Sequence, residues 1–261
     1  MKNTKIGFIG FGNMAQAMAK GLLRKDVVPA KNIFACAKRY DNLCRIAAEM
    51  GVCACETPLE VAKNSDIVVV AVKPFLVEEV LSPIKEALSD KIVFSVAAGM
   101  YFDEYERIIP GTHHYSSVPN TPVSVCEGIY ICENRHSLTA EEHELVHGIF
   151  SPTGLMVELD ARQFGPGSTL AGCGPAFAAV FMEALADGAL KNGLGRAMAY
   201  QLAAQMLAGT AKMQLETGAH PGVMKDGVCS PGGLTIKGVV ALERGGFRAS
   251  VIDAIDVIEN R

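Results

Sequence analysis

The sequence has no tryptophan, only 7% aromatic residues and no excess of positive charge. Lys and Arg number 24 against 28 Asp and Glu, a formal charge of −4. A general nucleic-acid binder usually carries a basic patch on a basic domain, so that class is set aside. A small cationic cluster holding one phosphate is still allowed. Also missing is a C-x-x-C pair among the eight cysteines. A chain of 261 residues buries about three quarters of its unfolded surface and needs no covalent staple. The cysteines therefore read as free thiols of a reducing compartment. No long apolar run is unbroken either. The charge-free stretch 164–182 contains four glycines and two prolines, whereas a spanning helix wants about 20 largely apolar residues. Residues 1–12 carry three glycines and no small-residue cleavage site, so no secretory signal is expected there. The expectation is a soluble, cytoplasmic protein with neither nucleic acid nor membrane as partner.

What is present is an alternation. Short β-like runs at 5–9, 32–37, 67–72, 92–96, 112–116, 128–132 and 155–158 are separated by helical spacings such as Met14, Met18, Gly21 and Leu22. Ile67-Val68-Val69-Val70 is continuously apolar and β-branched, as a parallel strand covered on both faces should be. Beyond Asp160 the pattern changes to long segments rich in Ala, Leu and Met, read as helices over 176–191 and 196–217 and from Leu234 onward. The fold class expected is α/β. A Rossmann-type doubly wound sheet (1–160) is followed by an all-helical domain (161–261).

Gly10-Phe11-Gly12-Asn13-Met14-Ala15 is G-x-G-x-x-A between a strand and an amphipathic helix. Gly10 permits the tight turn, Gly12 lets the backbone approach a pyrophosphate, and Ala15 allows close helix–strand packing at a helix N-terminus. The second strand ends Ala35-Cys36-Ala37-Lys38-Arg39. An NAD site would usually place a carboxylate there for the ribose 2′-hydroxyl. Two cations suit a 2′-phosphate instead, so NADP(H) is expected, with NAD(H) as the alternative. A solvated helix start would equally account for Lys38 and Arg39. Ala71-Val72-Lys73-Pro74 closes the buried strand at its carboxyl end, where such sheets bind ligands, and it also fits a proline-initiated helix.

His143-Glu144-Leu145-Val146-His147 matches H-E-x-x-H, a zinc-hydrolase spacing. The segment reads as a surface helix with Leu145, Val146, Ile149 and Phe150 facing the sheet and the His and Glu side chains outside. No metal is expected, and His113-His114 reads as a strand end.

In the helical domain, 171–176 reads as a glycine-rich helix start with Pro175 near the first turn. Cys229-Ser230-Pro231-Gly232-Gly233-Leu234-Thr235-Ile236 is a second such start. Its free backbone N–H groups and hydroxyls make a receptor for a carboxylate. A helix start capped by Ser230 or Thr235 is an equally good reading.

Six ordered blocks then resemble the pyrroline-5-carboxylate reductase family over essentially the whole length. They are Ile9–Met14, Ala71–Pro74, Pro119-Asn120-Thr121-Pro122, Gly172–Phe177 with Ala184–Gly188, His220-Pro221-Gly222, and Lys225–Ile236. The resemblance implies NADPH-dependent reduction of a cyclic imine, 1-pyrroline-5-carboxylate, to L-proline. It also implies a helical domain that interleaves with a second copy, giving an obligate dimer that often assembles further into a decamer. By the same resemblance Thr235 is the catalytic hydroxyl on the substrate nitrogen. Ser230, Gly232, Gly233 and Leu234 hold the carboxylate, and Asn120 lies near the reacting ring. Gly10, Phe11, Gly12, Asn13 and Met14, with Lys38, Arg39, Ala71, Val72, Lys73 and Pro74, hold the cofactor. Two residues depart from the family pattern: Leu234 replaces a small residue, and Pro58 stands where many members have a nucleotide-contacting Asn. Related two-domain reductases place a catalytic Lys in the central helix, and 177–190 has none before Lys191. A protein that keeps the cofactor fold as a nucleotide sensor is the non-enzymatic alternative.

Overall fold

The computed structural model describes residues 1–260. Eight strands form one sheet: β1 (Ile6–Ile9), β2 (Ile33–Cys36), β3 (Cys53–Ala54), β4 (Ile67–Val70), β5 (Ile92–Ser95), β6 (His113–Pro119), β7 (Gly128–Glu133) and β8 (Gly154–Leu159). Their order is β3-β2-β1-β4-β5-β6-β7-β8. Chain order reverses at β1, whose neighbours are β2 and β4, both parallel to it with Ile6 opposite Ile33 and Ile67. Ligands bind such sheets outside the carboxyl ends at this switch point. All seven expected strands are present. The two-residue β3 is additional, too short to show a period. The sheet is mostly parallel, with β7 antiparallel to β6.

Helices α1 (Asn13–Arg24), α2 (Tyr40–Met50), α3 (Pro58–Lys63), α4 (Val77–Leu81), α5 (Phe102–Ile108) and α6 (Ala140–Phe150) cover the two faces. One face packs Met18 and Leu22 of α1 and Val146, Ile149 and Phe150 of α6 onto Phe8, Val69, Phe94, Tyr115 and Tyr130. The other packs Val61, Val77, Leu81 and Tyr105 onto Ile9, Val68, Val70 and Val93. All four β4 residues are fully buried, which is why that strand carries no polar alternation.

The remaining helices are α7 (Ala161–Lys191), α8 (Arg196–Thr217), α9 (Pro221–Gly227), α10 (Leu234–Arg244) and α11 (Phe247–Glu259). The chain divides into compact units at 1–172 and 173–261, a division that falls inside α7. That helix corrects the expectation of a new start at 171–176: it runs unbroken for 31 residues through both prolines. A proline loses its own N–H bond but does not forbid helical geometry when the freed carbonyl finds another donor. By length and composition α7 is also apolar enough to cross a membrane, and 17% of its most apolar window is buried within the chain.

Candidate functional site

The dinucleotide turn leaves β1 through Gly10, whose φ of +90° is left-handed. A Cβ there would stand 2.7 Å from the Ala71 carbonyl oxygen and 2.9 Å from Val72 Cγ1. Only glycine lets the two segments expected to hold the cofactor pack this closely. Gly12, by contrast, faces open space: a Cβ would meet nothing within 4 Å. Gly12 is also the N-cap of α1. No side chain caps it, and no acidic residue occupies the first turn. Uncapped N–H groups, the positive end of the helix dipole and an open approach fit a pyrophosphate. Phe11 is buried in the core while Asn13 and Met14 begin the helix.

Gly10 N–H donates to the Cys36 carbonyl at 3.0 Å, so the end of β2 is held against the turn. Burial pushes the Cys36 thiol up to about 11, which keeps it uncharged at neutral pH. Two residues later Lys38 and Arg39 are exposed, and among the described residues no hydrogen bond or ion pair engages either side chain. Lys73 is exposed before the short turn that Pro74 opens. Sequence reasoning missed the end of β5, where Val96 N–H donates to the Val70 carbonyl at 2.9 Å. There Ser95 Oγ accepts from Ala97 N–H and bonds the Tyr105 hydroxyl at 2.5 Å, and the Val96 bond starts the segment after β5 alongside the end of β4. The segment's one signal was the run of small residues Ala97-Ala98-Gly99.

Pro58 is the first residue of α3, capped by Thr57 Oγ1, which accepts from Glu60 N–H. A backbone proline at this position supplies no side-chain amide for a nucleotide.

In the second unit, Gly233 N–H donates to the Ser230 carbonyl at 3.0 Å, closing a turn. A Cβ on Gly233 would collide with Ser230 Oγ at 2.4 Å. The N-cap of α10 is Gly233, with no side-chain cap. Neither Ser230 nor Thr235 serves as the cap, so the first-turn N–H groups stay available for an anion. Gly232 has φ +69°. Ser230 and Thr235 are exposed within the chain, and Leu234 is 86% exposed.

Asn120 is 5% exposed and its amide is bound at both ends. Oδ1 accepts from Ile129 N–H at 2.8 Å and Nδ2 donates to the Ala171 carbonyl at 2.9 Å. Ala171 is four residues before Pro175, so its carbonyl has no intrahelical partner. Asn120 supplies that partner. Asn120 thus has a positioning role for α7, which the sequence did not suggest.

Among the described residues of 173–261, those buried are three alanines, Ala186, Ala199 and Ala203. Large apolar side chains such as Val180, Leu215, Val223 and Val257 are 65–75% exposed. A groove of about 620 Å³ between α7 and the last two helices is lined by Phe177, Phe181, Leu185, Leu242, Phe247 and Val251. Contiguous exposed apolar surface of this extent marks an association face.

The H-E-x-x-H segment departs from its expected placement. Glu144 is exposed, but His143 and His147 are half-buried, with ring centroids 5.5 and 6.4 Å from Tyr115. The helix face carrying i and i+4 rests over the Tyr115 ring rather than in water. His113 opens β6 as expected, with Nδ1 2.6 Å from a Glu142 carboxylate oxygen.

Three comparisons bear on what this arrangement is. A family model described as pyrroline-5-carboxylate reductase dimerisation matches 161–261, and one described as NADP oxidoreductase, coenzyme F420-dependent, matches 5–99. The pyrroline-5-carboxylate reductase of Treponema pallidum is 39% identical over 96% of this chain and 97% of its own length. That of Escherichia coli is 40% identical over 96% and 94%. The crystal structure of the Plasmodium falciparum pyrroline carboxylate reductase with NADP bound superposes with a TM-score of 0.89 at 30% identity. It covers all of this chain and 97% of that one.

Proposed function

The chain belongs to the pyrroline-5-carboxylate reductase family, and from that premise we infer that it is an NADP(H)-dependent oxidoreductase reducing 1-pyrroline-5-carboxylate to L-proline, the last step of proline biosynthesis. The observation that carries this reading is the pair of uncapped glycine-opened helix starts, Gly12 on α1 and Gly233 on α10. The first suits a pyrophosphate and the second a carboxylate.

The bound dinucleotide supplies a hydride to the imine carbon. In our reading the chain's own residues bind and orient. Gly10, Gly12 and the N-terminal N–H groups of α1 hold the pyrophosphate. Lys38 and Arg39 pair with the 2′-phosphate, and Ala71–Pro74 line the ribose side. The first-turn N–H groups of α10 with Ser230 hold the substrate carboxylate, and the Thr235 hydroxyl bonds the ring nitrogen that ends the reaction as an amine. A protonated imine is already electrophilic, so no strong protein acid is needed; orientation supplies most of the acceleration.

The chain forms a homo-oligomer through its helical region. The near absence of buried large side chains in 173–261 supports a second copy, rather than lipid, as the cover of the exposed faces of α7 and its neighbours. We place the enzyme in the cytoplasm; the paucity of disulfide-like cysteine spacing supports this. A higher assembly such as a decamer is an extension of the same dimer. The decisive measurement is NADPH oxidation with and without pyrroline-5-carboxylate. Substrate-dependent oxidation with equimolar proline is expected, and NADPH binding without turnover would leave only a nucleotide-binding role.

A further inference from the structure

The side chains around the H-E-x-x-H segment form a cluster that the reductase reaction does not use. His143 and His147 stand one turn apart on α6, His136 comes from the segment before it, and Glu158 rises from β8. One ligand atom each from His136, His143 and Glu158 lies within 4.8 Å of the other two. His143 Nε2 is 2.5 Å and His147 Nε2 3.8 Å from the same Glu158 Oε1. His147 Nε2 is buried and, among the described residues, has no hydrogen-bond partner. The imidazole rings of His136 and His143 stack at 4.8 Å, and those of His143 and His147 lie 4.4 Å apart.

We propose that His136, His143, His147 and Glu158 bind one divalent transition cation of the zinc class, which ties α6 and the segment before it to β8. Imidazole nitrogens with one carboxylate oxygen are a donor set for such an ion. Ligands at about 2.0–2.1 Å in a tetrahedron are roughly 3.3 Å from one another, a spacing bracketed by the 2.5–4.8 Å found here. An unpartnered buried imidazole nitrogen is costly, and a metal bond would satisfy it. The outer shell is also in place: the Tyr115 hydroxyl donates to Glu158 Oε1 at 2.7 Å, orienting the carboxylate as such partners do.

Glu144, the base of a zinc hydrolase, is exposed and outside the cluster. Strand β8 is five positions from β1 in the sheet order, roughly 24 Å at about 4.8 Å per strand. The ion is therefore a structural clamp and takes no part in hydride transfer.

The test uses the full-length oligomer, stripped with a chelator and titrated with Co²⁺. Visible d–d absorption reports the ligand field, and Zn²⁺ displaces the Co²⁺. One equivalent per chain with a tetrahedral-type spectrum is expected, together with a higher melting temperature in the loaded protein. His136→Ala with His143→Ala should weaken binding at least about tenfold, and Tyr115→Phe about tenfold through the outer shell. Glu158→Gln, nearly isosteric, gives the same readout should the histidine variants fold poorly. No saturable uptake by the wild-type protein, or undiminished uptake by Glu158→Gln and the folded histidine variants, would overturn the assignment.

Discussion

In the reading we propose, substrate and cofactor choice turn on the side chains of Thr235 and of the pair Lys38 and Arg39. Thr235 sits in the uncapped first turn of α10 and, among the described residues, has no hydrogen-bond partner there, so its hydroxyl is available to a ligand. Thr235→Ala is expected to lower kcat by about tenfold or more, the loss of one donor or proton-transfer contact. Steady-state kinetics with saturating NADPH checks this, and unchanged turnover removes Thr235 from the chemistry. Lys38 and Arg39 are likewise unengaged and follow a strand end bonded to Gly10. Replacing both with Ser should weaken NADPH much more than NADH, since only the former carries the phosphate they meet. Kd values for both nucleotides decide it: equal losses make the two cations ordinary surface charge.

Among the elements, α7 shows how a sequence signal was misread and what compensates it. Pro175 suggested a helix start, yet the helix continues because Asn120 donates to the carbonyl that proline strands at Ala171. Asn120→Ala would leave that carbonyl and Ile129 N–H without partners inside the protein. The expected cost is about 2–4 kcal/mol of stability, from two unsatisfied buried groups. Asn120→Asp should be no milder: it keeps the bond from Ile129 N–H, but it sets an unpaired buried charge against the Ala171 carbonyl oxygen. Chemical denaturation of the three proteins measures this, and an Asn120→Ala variant of wild-type stability would leave Asn120 with its substrate role alone.

For the molecule as a unit, acid sensitivity follows from its histidines. His114 is 1% exposed. Burial lowers its pKa below the ordinary 6.5 even though Glu106 lies 2.9 Å from Nε2 and opposes the shift. The unfolded chain therefore takes up protons that the folded one refuses. Stability is whole above about 6.5 and falls as pH drops through the window below it. The lowered carboxylates Glu142 and Glu158 add their own loss only further down, below their ordinary 4.5. The melting temperature should decline between about pH 7 and about pH 5, and His114→Gln should flatten the slope. A flat profile across that interval would contradict the burial argument.

Periodicity and turn chemistry are local, and what depends on them was readable along the chain: the strands that build the switch point, the Gly10–Met14 turn, the Ala71–Pro74 turn and the α10 start. The sequence blocks also carried the family. Four things were not readable, and each depends on residues distant in the chain. The turn after β5 joins the site because β5 lies beside β4. Asn120 reaches a carbonyl 51 positions away. His136, His143, His147 and Glu158 meet only because β8 pairs with β7 at the sheet edge beneath α6. The unbroken course of α7 depends on a donor from another element. A residue's own neighbours set its backbone preference, but which polar groups end up satisfied, and by whom, is settled by packing.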